Sequence, residues 1–196
     1  MHATIVVMPG SPALVPELAP RDEPARRLVA GVRALVTADR PLDLVGSRDR
    51  RWYTARTGSL GAWGAPQVRH DVGNYLPELV QRSIVDVPVR AVRGSLQRPD
   101  PEALTLLALD GSAGLTARAP LALLDGAAEA DAWCRALLSG EAPEPWSSED
   151  LRAAGVLEPE LWLELAGFPV VDAELLDVDT TTGVGRYLAR LTVEVA

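Results

Sequence analysis

The segment Ala3-Thr4-Ile5-Val6-Val7-Met8, closed by Pro9-Gly10, is nearly continuous in apolar residues. A strand with one face in water alternates apolar and polar residues, so an unbroken apolar strand must be covered on both faces. The next forty residues narrow the fold further. Asp22 stands where a helix cap is needed, and Glu23 and Pro24 occupy the first turn, where a missing N–H costs nothing. Leu28, Val29, Val32, Leu35 and Val36 then fall on one helical face, and Pro41 ends the helix. Leu42-Asp43-Leu44-Val45-Gly46 reads as a second strand. Strand, helix, strand is a crossover unit, which implies an α/β sheet with helices on both faces.

The remaining elements extend this unit. Arg48 to Pro66 reads as a loop rich in Gly and Arg, with Trp52, Tyr53 and Trp63. A helix is expected over 74–85 and a short strand over 87–92. Ala103 to Leu109 is the strongest strand after the first, and it runs into Asp110-Gly111-Ser112. A helix is expected over 121–138, with Cys134 on its buried side. Ser147 with Asp150 forms a capping-box pattern opening a helix that stops at Gly155, and Glu158-Pro159 opens another that stops at Gly167. The tail reads as two strands, 173–177 and 186–195, joined through Thr180 to Gly185. The expected fold is one three-layer α/β domain over 1–196. Its central sheet is mostly parallel or mixed, and a C-terminal hairpin closes one edge.

Composition removes several chemistries. All 19 basic residues are arginine. Without lysine there is no Schiff base, no pyridoxal phosphate anchor and no Walker-type phosphate lysine. The one cysteine allows no internal disulfide and no Cys-rich metal site, and two histidines, His2 and His70, cannot make a three-histidine site. With only two isoleucines and one asparagine beside abundant Ala, Arg, Gly and Pro, base composition explains the missing lysines before chemistry does. The net charge of −8 argues against a nucleic-acid or polybasic membrane partner. It is unevenly spread: residues 1–98 carry 14 Arg against nine acids, and residues 99–196 five against 18. No signal peptide and no run near the roughly 18 apolar residues of a membrane span are recognisable. A cytoplasmic location is the expectation.

In an open α/β sheet, ligands sit outside the carboxyl ends of the strands. Three turns qualify: Pro9-Gly10-Ser11-Pro12, Gly46-Ser47-Arg48-Asp49 and Asp110-Gly111-Ser112-Ala113. The expected pocket floor is therefore Gly10, Ser11, Ser47, Arg48, Asp110, Ser112 and Ala113. Arg48, Arg50, Arg51 and Arg56, interleaved with Trp52 and Tyr53, form an anion-binding candidate, or a solvated loop paired with the acidic half. His70-Asp71 is the remaining constellation. A carboxylate beside an imidazole can orient it for base work, but neighbours on an extended segment point to opposite faces. Gly183-Val184-Gly185 lacks the third glycine of a dinucleotide fingerprint.

The same turns carry a resemblance. Val7 to Leu18, Asp110 to Thr116 and Gly183 to Tyr187 look like the corresponding segments of the class III extradiol ring-cleavage dioxygenase-like family. The likeness is to a bacterial subgroup lacking the metal-binding histidines. Active members hold ferrous iron with two histidines and a glutamate, and a further histidine acts as acid and base. The resemblance implies a first ligand in a His-x-Pro turn, where this chain has Gly10-Ser11-Pro12. It implies a second after the next strand, where Ser47 and Arg48 stand. It implies a catalytic histidine after an Asp-x-Ser step, where Ala113 follows Ser112. None of the three positions holds histidine, so no metal and no cofactor are expected.

These residues leave three functional readings. The favoured one is a dioxygenase-like protein without iron chemistry that keeps a small-molecule-binding or interaction role. The second is a metal-dependent enzyme, with Fe(II) in the ring-cleavage version, whose site has moved to His70, Asp71 and Asp110. The third is a structural subunit, a homo-oligomer or the partner of another protein.

Overall fold

The computed structural model describes residues 1–195. Strand β1 spans His2–Met8, helix α1 Glu23–Leu35 and strand β2 Leu42–Val45. Asp22 caps α1 as expected, its carboxylate accepting from the Ala25 N–H at 2.9 Å. Two short strands follow, β3 (Ser59–Leu60) and β4 (Ala65–Arg69), then α2 (Leu76–Ile84), β5 (Val89–Arg93) and β6 (Leu104–Ala108). Helices α3 (Ala127–Leu138), α4 (Ser148–Ala153) and α5 (Pro159–Ala166) lead to the long strands β7 (Val170–Asp179) and β8 (Arg186–Glu194).

Six strands form one mixed sheet in the order β5-β2-β6-β1-β8-β7. β5, β2, β6 and β1 pair in parallel; β8 runs antiparallel to β1 and β7 antiparallel to β8, so the terminal hairpin closes one edge. The apolar run of β1 has its reason here. Ala3, Ile5 and Val7 enter one core with Trp133, Cys134, Leu161 and Trp162, from α3 and α5. Val6 and Met8 enter the opposite core with Leu28 and Val32 of α1 and Leu76 and Leu79 of α2. Each side chain of β1 thus alternates between two cores, and both must be apolar.

Two local expectations are corrected. The 48–66 stretch is not all loop: β3 and β4 pair antiparallel, with a left-handed Gly64 (φ 103°) at their turn. The third helix begins at Ala127, not near residue 121. Pro120 to Gly126 is a turn, with Ala122 (φ 58°) and Gly126 (φ 76°) both left-handed. Its capping position is that glycine, whose conformation a helix interior does not allow.

The connections run in two directions from the centre. Chain leaving β1 proceeds through α1 towards β2 and the β5 edge, whereas chain leaving β6 proceeds through α3, α4 and α5 towards the β7 edge. β1 and β6 are neighbours, so the direction of winding reverses between their carboxyl ends, where an open α/β sheet has its ligand crevice. Among the described residues, no helix is long and apolar enough to cross a membrane.

Candidate functional site

A cavity of about 310 Å³ opens at this reversal. Its wall takes Gly10, Ser11 and Pro12 from the turn after β1, Ser47 from the turn after β2, and Ala108, Asp110, Gly111 and Ala113 from the end of β6 and beyond. Leu76 and Pro77 from the start of α2, with Trp52, Pro120, Leu157, Glu158 and Val184, complete it. That volume is at the small end of the about 300–1,000 Å³ common for ligand sites. The walls are mainly apolar, and the lining contains no arginine and no histidine.

The three turns that bring it together are held by their own side chains. Ser11 opens a short 3-10 turn over Pro12–Leu14, its hydroxyl accepting from the Ala13 N–H. Ser47 accepts from the Asp49 N–H at 3.1 Å. At the end of β6, the Trp162 indole donates to the Asp110 carbonyl at 2.9 Å, fixing the turn from below. Trp162 in turn stands edge-on to both Trp133 and Tyr187, with ring centroids 6.1 and 5.9 Å away.

Asp110 is the floor of the cavity. Its Oδ2 accepts from the Gly10 N–H at 3.1 Å, joining the turns after β1 and β6, while its enclosed Oδ1 has no hydrogen-bond partner. Burial pushes this carboxyl up to about 7; the Gly10 N–H and the Arg186 charge oppose the rise, and Glu158 adds to it. Asp110 is thus an acid able to gain or lose a proton near neutrality. Glu158 precedes α5 but does not cap it. Its carboxylate turns instead to the Trp52 indole N–H, at 2.6 Å.

Of the seven expected floor residues, Gly10, Ser11, Ser47, Asp110 and Ala113 line this one cavity. Two do not. Ser112 is fully buried, donating to the Ala154 carbonyl at 2.6 Å and accepting from the Gly114 N–H, so it braces the turn against α4. Arg48 lies with its guanidinium 5.6 Å from the Tyr75 ring centre and donates to the Val92 carbonyl, away from the cavity. The arginine loop does not gather into an anion site there either. Arg51 pairs with Asp49 at 2.9 Å and stacks on Trp52, and neither Arg50 nor Arg56 lines the cavity.

The relocated trio is not assembled. His70 and Asp71 line a separate depression with Arg69, Arg82 and Asp86, while Asp110 sits in the central cavity. Ser83 spends its hydroxyl proton on the Leu79 carbonyl, so it accepts from His70 Nε2 at 2.8 Å. Burial, and then the Arg82 charge, hold His70 below its usual value. Among the described residues, no three His, Cys, Asp or Glu side chains converge on a point that could hold a metal ion. Cys134 is buried in α3, and its burial pushes the thiol well up. Glu158 is the site residue that sequence reasoning misses. Its Glu-Pro step signals a helix start, and nothing local shows that the carboxyl turns towards residues more than 40 positions away.

No family model matches this chain, and no curated protein matches it.

Proposed function

We propose that this protein is a divergent relative of the extradiol dioxygenases that binds a small organic ligand at the β1–β6 crevice without iron-dependent ring cleavage. One observation carries the reading: Gly10, Ser47 and Ala113, from three separate turns, surround the same cavity. These are the positions at which the resemblance places the two iron-ligating histidines and the catalytic one. A ferrous facial site needs two imidazoles and a carboxylate with open coordination positions. The cavity offers two carboxyls, Asp110 and Glu158, two serine hydroxyls and no imidazole. This donor set does not fit ferrous iron, and no catalytic step is assigned to it.

What the cavity can do chemically is bind. It is partly enclosed by apolar side chains, and its polar groups are few and sharply placed, which is the usual make-up of a small-molecule site. Purified protein exposed anaerobically to ferrous iron and then desalted is expected to keep no stoichiometric metal and to leave catechols intact on admitting oxygen. Retention of one iron per chain together with ring opening would overturn the proposal.

A further inference from the structure

We propose that the ligand of this cavity is an organic ammonium: a protonated amine on a compact apolar body, its N–H groups directed to the carboxyls of Asp110 and Glu158. The inference rests on the binding role proposed above and names the chemical class that role serves.

The wall is informative first for what it lacks. A carboxylate or phosphate ligand needs a cationic partner or a cluster of N–H donors, and the lining supplies no basic side chain. The wall N–H that is aimed at an anion, that of Gly10, is already given to Asp110. The wall instead presents two acidic side chains, from the end of β6 and from the start of α5, so its field favours positive charge.

Asp110 then supplies a second, independent reason. Its Oδ1 is enclosed and unpartnered, and a buried acceptor left without a hydrogen bond costs on the order of 1–3 kcal/mol. A donor from the ligand removes that cost. A neutral alcohol brings one donor, whereas an ammonium brings three donors and a charge. Glu158 is already oriented by the Trp52 indole, so little freedom is lost when it takes a ligand N–H. Trp52 adds an aromatic wall of the kind that attracts organic cations. Leu76, Pro77, Ala108, Pro120, Leu157 and Val184 fit the apolar body.

Proton balance gives this recognition a pH signature. The charged groups acting on Asp110 are Glu158, which disfavours its ionisation, and Arg186 of β8, which favours it. The wall residues from α2, Leu76 and Pro77, carry no charge. Below about pH 7 an arriving ammonium must expel the Asp110 proton to solvent; above it the carboxylate is already formed. Affinity for an amine therefore climbs as pH rises towards 7 and then levels.

The test is calorimetric titration of the full chain at about pH 8 with phenethylamine, phenethyl alcohol and phenylacetate, which share one apolar body. The amine is expected to bind about tenfold or more tightly than the alcohol, and phenylacetate not to bind. Asp110→Asn and Glu158→Gln, each checked for native circular dichroism, are expected to weaken the amine about tenfold while leaving the alcohol unchanged. Equal binding of amine and alcohol, preferred binding of phenylacetate, or variants that leave the amine untouched would each overturn the ammonium assignment while the small-ligand reading stands. Failure of all three compounds to saturate would also overturn it, and the iron experiment would then decide the broader reading by itself.

Discussion

Asp110 sits where an apolar cavity makes a negative charge expensive, with a single backbone N–H and a distant arginine to offset the cost. The consequence for stability has a definite sign. An unfolded aspartate loses its proton near 3.8, whereas the folded one keeps it up to about 7. Over that window the folded state binds more protons than the unfolded state, so stability falls as pH rises and then becomes flat above about 7. Asp110→Asn keeps an acceptor for the Gly10 N–H and removes the ionisation. It is expected to stabilise the fold by on the order of 1–4 kcal/mol at about pH 8, with the gain shrinking towards zero near pH 4. Urea denaturation at the two pH values checks this; a gain independent of pH would show that Asp110 ionises normally. A residue kept at a cost to stability in a cavity wall is the kind of compromise that binding sites make.

Among the elements, the joint between α1 and the terminal hairpin depends on one side chain. Arg186, at the start of β8, has a side chain only 1 % exposed. It donates to Asp179 at the end of β7, at 2.9 and 2.5 Å, and to both oxygens of Asp22, the cap of α1, at 2.7 and 3.2 Å. Burial alone would raise the Asp22 carboxyl; the Arg186 hydrogen bonds, together with the Ala25 N–H, outweigh it and leave Asp22 below its ordinary value. Replacing the guanidinium leaves two carboxylates close together without their cation. Arg186→Met is expected to cost about 3–5 kcal/mol at neutral pH, read from the urea midpoint. For a lowered acid the sign is opposite to that of Asp110: the Asp22 contribution is full above the unfolded value near 3.8 and is lost as pH falls through the folded value. The variant's deficit should therefore narrow in acid. A deficit below about 1 kcal/mol would show that the triad contributes little beyond its own desolvation.

At the level of the whole molecule, the two cores lie on opposite faces of the same sheet, and three central strands serve both. Val7 and Leu107 face one core while Val6 and Leu106 face the other, and in β8 Tyr187, Ala189 and Leu191 oppose Leu188. Neither face can lose its packing without stripping those strands of half their cover, so a single cooperative unit is expected. The tryptophans report on both faces, Trp133 and Trp162 on one and Trp52 and Trp63 on the other. Urea curves followed by tryptophan fluorescence and by far-ultraviolet circular dichroism are expected to coincide. Separated midpoints would show that the faces unfold independently.

The parts legible in the sequence are those with local causes. An apolar run with no polar alternation has to become a two-faced strand, and β1 is one. The Asp22 and Ser147 caps open α1 and α4 at the expected places because capping joins residues two or three apart. The β3–β4 pair is invisible in the sequence because a two-residue strand carries no periodicity. The start of α3 is equally hidden, because Leu121, Leu123 and Leu124 continue a helical pattern that two left-handed residues interrupt. The strand-end turns point to Gly10, Ser47, Asp110 and Ala113, since their position follows from topology. Only the tertiary structure decided that Arg48 turns to Tyr75, that Ser112 braces α4, that Asp110 keeps an unpartnered oxygen and that Glu158 joins it in one wall. Those outcomes depend on which distant side chains meet in space and on how much water they exclude. No spacing along the chain encodes either quantity.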